Sequence, residues 1–307
     1  VRKIRFTITF LAFLLCASLA WGQNPYILVL GVAQDGGYPH LGCEKECCNA
    51  AWENPELKRF VVSLALVEPS SKKWFLFEAS PDMSDQIRFF RELTGGKYNY
   101  LPDAIFVSHA HIGHYTGLME LGREVMNSDN VPVYALPRMT EFLKKNGPWS
   151  QLVSLNNISL TKLEAGSGIN ITENITVNIF EVPHRDEYSE TAGYRINTVS
   201  KNYLFIPDID KWNKWEKDIV TEVNKVDVAF IDGTFYSDAE LPGRNMSDIP
   251  HPFIVETMAL FSEKAPQTKN KIIFIHLNHS NPALSNQDTI NIIKEKGFEV
   301  AVQGRKY

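Results

Sequence analysis

The sequence predicts a layered α/β protein, sheets inside and helices outside, folded as a single domain. Three observations predict it. Short runs rich in Val, Ile, Phe and Tyr alternate with stretches of helical spacing from Tyr26 onward. No Pro/Gly/Ser-rich linker separates the two halves. The composition, 44% hydrophobic and 22% charged over 307 residues, is that of a chain able to bury a sizeable core. The charge count argues in the same direction by exclusion. With 31 Lys and Arg against 36 Asp and Glu, a net charge of −5 and no basic block, a phosphate-gripping nucleic-acid binder is not expected.

The first element is a leader. Arg2, Lys3 and Arg5 precede an apolar run over residues 6–20, and Ala20-Trp21-Gly22 puts small residues on either side of Trp21. This predicts a signal peptide over residues 1–22, a domain over 23–307, and an exported protein, periplasmic or secreted. The run is short of the roughly 20 apolar residues a bilayer needs, so no membrane span is expected after cleavage. Cys16 would leave with the leader.

Strands are expected over residues 26–32, 60–67 and 74–78, each β-rich and bounded by Gly, Pro or Ser. A helix over 83–93 follows Ser80-Pro81-Asp82, a suitable start. A strand over 103–108 runs into a helix beginning near His114. Further strands are expected over 160–163, 175–182, 193–198 and 203–206. The order then reads helix 212–223, strand 226–231, helix 253–263, strand 271–276, helix 288–296 and strand 299–302.

The histidines carry the chemistry. The chain has eight, and three crowd into His109-Ala110-His111-Ile112-Gly113-His114, at the end of the apolar run Ala104-Ile105-Phe106-Val107. Alternate residues at a strand's end share a face, so His109 and His111 point the same way. The following helix turns His114 back towards them. Three converging imidazoles suit a borderline cation such as zinc. The same placement recurs: His184, Asp208 and His276 each follow or end an apolar strand.

This constellation, in this order, resembles the metallo-β-lactamase-fold hydrolase superfamily. The resemblance implies an αββα sandwich with a binuclear metal site at one edge of the sheets. A narrower likeness covers most of the chain after the leader. Gly31-Val32-Ala33-Gln34-Asp35-Gly36-Gly37, Ser80-Pro81-Asp82, Asp232-Gly233-Thr234-Phe235 with Asp238 and Glu240, and Ile275-His276-Leu277-Asn278 with Asn281-Pro282 are similar to the coenzyme PQQ synthesis protein B group.

By this resemblance His109, His111 and His184 hold one ion, His114 and His276 the second, and Asp208 bridges them as the catalytic carboxylate. Zinc, one or two ions, is the implied metal, with iron or manganese as alternatives. The implied function is an exported metal-dependent hydrolase of a small-molecule ester, lactone, amide or phosphodiester, using a metal-activated water. Two alternatives stand beside it: an iron-dependent oxidative enzyme related to PQQ synthesis, and a non-catalytic ligand-binding protein on the same fold.

One position departs from the superfamily's His-x-His-x-Asp-His motif: Gly113 stands where its Asp belongs. The second ion loses a carboxylate, so its site is expected to be weak or partly filled, with Asp186, Asp210 or Asp232 as substitutes. Asp232, His251 and His279 are otherwise expected to support the ligands or line a substrate pocket. Cys43, Cys47 and Cys48, with His40 upstream, are expected to form a structural zinc site or one local disulfide.

Overall fold

A computed structural model describes residues 24–241, 245 and 248–307; the expected leader, residues 1–22, lies outside them. Strands β1 (Tyr26–Gly31), β2 (Ser63–Glu68), β3 (Lys73–Phe77), β4 (Ala104–Phe106), β5 (Val131–Ala135) and β6 (Ile158–Lys162) form one sheet in chain order. A second sheet runs, also in order, through β7 (Gly168–Asn170), β8 (Ile175–Val182), β9 (Thr191–Thr198), β10 (Asn202–Ile206), β11 (Val228–Asp232), β12 (Ile272–Ile275) and β13 (Glu299–Val300). The helices are α1 (Glu46–Glu53), α2 (Met83–Thr94), α3 (Ile112–Tyr115), α4 (Pro137–Lys145), α5 (Trp149–Ser154), α6 (Ile219–Asn224), α7 (Ile254–Leu260), α8 (Pro266–Lys269) and α9 (Gln287–Glu295).

Side-chain alternation builds the layers. In β1, Ile27 and Val29 face the second sheet, while Leu28 and Leu30 join an outer core with Phe90 of α2 and Met139 of α4. In β3, Phe75 and Phe77 point inward, and Trp74 and Leu76 outward. Strands buried on both faces read as unbroken apolar runs, which is how the sequence presents them. Between the sheets, Phe77 stacks on Phe106 at 4.7 Å and meets Tyr194 of β9 edge-on at 5.3 Å. Helix α2 buries Met83, Ile87, Phe90 and Thr94 on one stripe and ends on Gly95 in the left-handed region, φ 63°.

Strand direction decides where loops meet. β1 and β3 each pair antiparallel with β2, and β4 pairs parallel with β3, so β1, β3 and β4 end on the same edge. In the second sheet β8 and β10 each pair antiparallel with β9, and β11 and β12 follow β10 in parallel. Their carboxyl ends therefore also share an edge. Two straps join the sheets. Tyr307 and Arg305 hydrogen-bond the backbone of β1, and Leu277 N–H, just past β12, donates to Val32 O at 2.8 Å.

The expected helix over 212–223 is broken. A 3₁₀ turn, Trp212–Lys214, precedes α6, whose start is capped by Asp218 accepting from Thr221 N–H at 2.8 Å. The indoles pull the intervening chain apart: Trp212 donates to Thr257 and Trp215 to Glu181 O. β5, α4 and α5 go unread in the sequence. Pro132 and Pro137 punctuate this stretch, but β5 takes Pro132 where its N–H is not needed and α4 takes Pro137 in its first turn.

Candidate metal centre

All six residues of the expected ligand set, His109, His111, His114, His184, Asp208 and His276, converge at the shared edge. His109, His111 and His114 follow β4, with His114 on α3; His184 follows β8, Asp208 follows β10, and His276 directly ends β12. His109, His111, His184 and Asp208 each offer a ligand atom within 4.8 Å of the others. One oxygen organises the whole set. Asp208 Oδ2 lies 3.2 Å from His184 Nε2, 3.4 Å from His109 Nε2, 3.8 Å from His114 Nε2, 3.9 Å from His276 Nε2 and 4.0 Å from His111 Nδ1.

Neighbouring groups aim these rings. Thr234 Oγ1 spends its proton on Asp232 Oδ1 at 2.7 Å, so it accepts from His276 Nδ1 at 2.8 Å. That leaves His276 Nε2 as the free lone pair facing inward. Glu78, at the end of β3, stands 3.4 Å from His114 Nδ1 and holds that ring from behind. Both Glu78 (φ 73°) and His276 (φ 64°) adopt the left-handed backbone region, a cost found chiefly where a site fixes direction. Ser108 Oγ lies 2.9 Å from His109 Nδ1. His111 Nε2 meets Glu187 at 3.1 Å, on the side open to solvent: the His111 side chain is 13% exposed and Glu187 50%.

The charges balance locally. Burial opposes the Asp208 carboxylate, but His184, His251 and His276 outweigh it and hold its carboxyl well below the usual range. Burial and the neighbouring His114 keep His109 well below the usual imidazole value. Burial disfavours charge on His114 too; there Glu78 and Asp35 win and push it up to about 10. His251 is likewise pushed up to about 10, against burial, by Asp232 and Asp208.

The expected supporting residues separate. Asp232 and His251 belong to the centre: His251 Nδ1 bridges Asp232 Oδ2 at 2.9 Å and Asp208 Oδ1 at 3.1 Å. His279 does not. It lies with Cys43 and Cys48, within 4.8 Å ligand atom to ligand atom, and stacks on His40 at 4.3 Å. Three residues past His276 the chain has already turned away from the centre. Cys43, Cys47 and Cys48 are free thiols, with the Cys43 and Cys47 sulfurs 3.7 Å apart. The potential structural site also changes membership: His40 and Cys47 fall outside the group and His279 enters it. Cys47 and Cys48 are consecutive on α1, so their side chains diverge by about 100°.

Of the substitutes expected for Gly113, Asp232 reaches the His276 side, grouped with Asp208, His251 and His276 within 4.8 Å, but it is not grouped with His114. Asp210 pairs with Lys214 at 2.7 Å, Asp186 accepts from Thr191 at 3.0 Å, and Asp232 is taken up by Thr234, His251 and Ile209 N–H. The carboxylate found at the His114–His276 corner is Asp35, from the turn after β1, 3.2 Å from His114 Nε2 and 3.8 Å from His276 Nε2. Sequence reasoning missed its role. The available signal was the rule that singled out Asp208: an Asp just past an apolar strand.

The donor set fits a metal. Asp35 Oδ1, His114 Nε2, His184 Nε2 and His276 Nε2 are buried without a hydrogen-bond partner. Each such orphan costs on the order of 1–3 kcal/mol, which a coordinated cation would offset.

Residues 73–277 match the beta-lactamase superfamily domain. The coenzyme PQQ synthesis protein B of Methylorubrum populi is 24% identical, the alignment covering 91% of this chain and 98% of that protein. Among solved structures, Zn²⁺-bound PqqB from Methylobacterium extorquens matches with a TM-score of 0.77 at 20% identity, covering 92% of this chain and 99% of that one. A diphosphatase of the PhnP family matches with a TM-score of 0.68 at 18% identity, covering 93% and 97%. At these identities the structural matches speak for the fold.

Proposed function

The chain belongs to the beta-lactamase superfamily, and on that premise we propose that it is a metal-dependent hydrolase with two cation positions, similar in fold to the PqqB group. The carrying observation is the set of buried ring nitrogens without hydrogen-bond partners, His114 Nε2, His184 Nε2 and His276 Nε2, gathered around Asp208 Oδ2. His109, His111 and His184 would hold one cation, His114 and His276 the other, with Asp208 between them. Bound there, divalent cations, zinc first among the choices, would lower the pKa of a shared water and stabilise charge developing on the attacked group.

The chain's own residues do the rest. Asp208, kept ionised, is placed to hold the cations and to orient a nucleophilic water. His251, hydrogen-bonded to Asp232, places its charge 3.1 Å from the other oxygen of Asp208. Substrate, a small ester, lactone, amide or phosphodiester, approaches from the His111–Glu187 side, where the cluster reaches solvent. Export, read from the basic and apolar residues 2–20, belongs to the same proposal.

The test is elemental analysis of wild type and His109→Ala/His111→Ala, purified without chelator, alongside hydrolysis of p-nitrophenyl acetate and bis(p-nitrophenyl) phosphate. Metal content is expected to fall in the double variant. Hydrolysis of at least one probe should vanish with chelator and return with zinc. Equal metal content in both proteins, or chelator-resistant hydrolysis, sinks the proposal.

The support of His276 gives a second check. Thr234→Val keeps shape but removes the hydroxyl between Asp232 and His276. Zinc affinity at the His276 position is expected to fall roughly 10–100-fold, with the ion among His109, His111 and His184 retained. A zinc titration indistinguishable from wild type would show that Thr234 does not orient this ring.

A further inference from the structure

We propose that Asp35 is the carboxylate ligand of the second cation, supplied from the opposite side of the centre in place of the side chain that Gly113 lacks. This deepens the two-cation reading and rests on it. Three observations meet at this corner. Asp35 Oδ1, His114 Nε2 and His276 Nε2 lie within 4.8 Å of one another. All three atoms are buried without a hydrogen-bond partner. The far nitrogens of both rings are already occupied: His114 Nδ1 faces Glu78 at 3.4 Å and His276 Nδ1 is bound by Thr234 at 2.8 Å. Only the inner faces remain free, and they look at the same oxygen.

The two positions exclude each other sterically. A Cβ on Gly113 would overlap Asp35 Oδ1 and stand 2.6 Å from Asp35 Cα and 3.0 Å from its Cγ. A side chain at 113 would therefore project into the space that Asp35 now fills. Gly113 is not among the glycines with positive φ, so its backbone does not demand glycine; the neighbouring carboxylate does.

Asp35 is also held as a ligand must be. Ala33 bridges to Val61 on one side and Leu277 on the other. Gln34 N–H donates to Leu277 O at 2.9 Å, and Leu277 N–H to Val32 O at 2.8 Å. Leu277 directly follows His276, so the backbone carrying the carboxylate is tied to the backbone carrying the imidazole. A structural ion pair with His114 alone would need neither the inward-facing His276 nitrogen nor this register.

Metal content tests the exchange. Four proteins are compared by elemental analysis after zinc loading and desalting, with circular dichroism as a folding control: wild type, Asp35→Ala, Gly113→Asp and Asp35→Gly/Gly113→Asp. His109→Ala/His111→Ala serves as the reference for the first position, because any ion held by Cys43, Cys48 and His279 is common to all. Asp35→Ala is expected to carry about one ion fewer than wild type. Gly113→Asp should also lose metal, because its new side chain collides with Asp35. The double variant should return towards wild-type content, the carboxylate now coming from position 113. A folded Asp35→Ala protein with wild-type content overturns the assignment of Asp35. A double variant with no more metal than Asp35→Ala overturns the exchange. Wild-type content equal to that of His109→Ala/His111→Ala overturns instead the two-cation reading beneath both.

Discussion

Asp208→Asn is expected to empty both cation positions and to reduce hydrolysis at least about 10³-fold, beyond the 10–100-fold that outer partners are worth. The reason is geometric. A single oxygen, Asp208 Oδ2, faces five imidazole nitrogens between 3.2 and 4.0 Å away. The amide keeps the volume but removes the negative charge, and it cannot serve two cations at once. His184, with both ring nitrogens buried and without hydrogen-bond partners, loses its nearest counter-charge. Elemental analysis and the two nitrophenyl probes read the outcome. A variant that keeps wild-type metal and rate would mean that Asp208 is a spectator of the centre.

Phe77→Ala is expected to have the largest effect on stability, about 3–5 kcal/mol. That is a large share of the roughly 5–15 kcal/mol that holds a typical domain together. Phe77 is fully buried between the sheets, stacked on Phe106 and in edge contact with Tyr194 and Phe205 across the interface. Alanine leaves a void bordered by rigid aromatic rings on two sheets, which collapse poorly into it. The shift of the urea midpoint, at unchanged slope, measures the cost. A loss below about 1 kcal/mol would contradict the description of this aromatic cluster as the joint between the layers.

The two predictions draw on different parts of what the sequence made legible. Layered α/β architecture followed from apolar runs whose alternate residues serve two cores. Strand β8 appears at the bounds expected for it, because Ile175, Val177 and Ile179 alternate cleanly with half-exposed residues. The histidine cluster was equally legible. Strand-end placement is a local property, and His109, His111, His184, Asp208 and His276 all carry it.

What escaped the sequence depends on distant parts of the chain lying side by side. Trp212 and Trp215 break an expected helix because their indoles bond to Thr257 and to Glu181, residues that nothing local brings near. His279 reads as a neighbour of His276, yet a turn of three residues delivers it to Cys43 and Cys48. Gly113 reads as a missing carboxylate. Only the parallel edges of β1, β4 and β12 bring Asp35 to the same corner, across 78 positions of sequence. Residue types and their strand-end positions therefore determined the fold class and the ligand chemistry. Which carboxylate completes the second position was decided by packing, because a cation selects donors by distance and charge, and sequence separation enters neither.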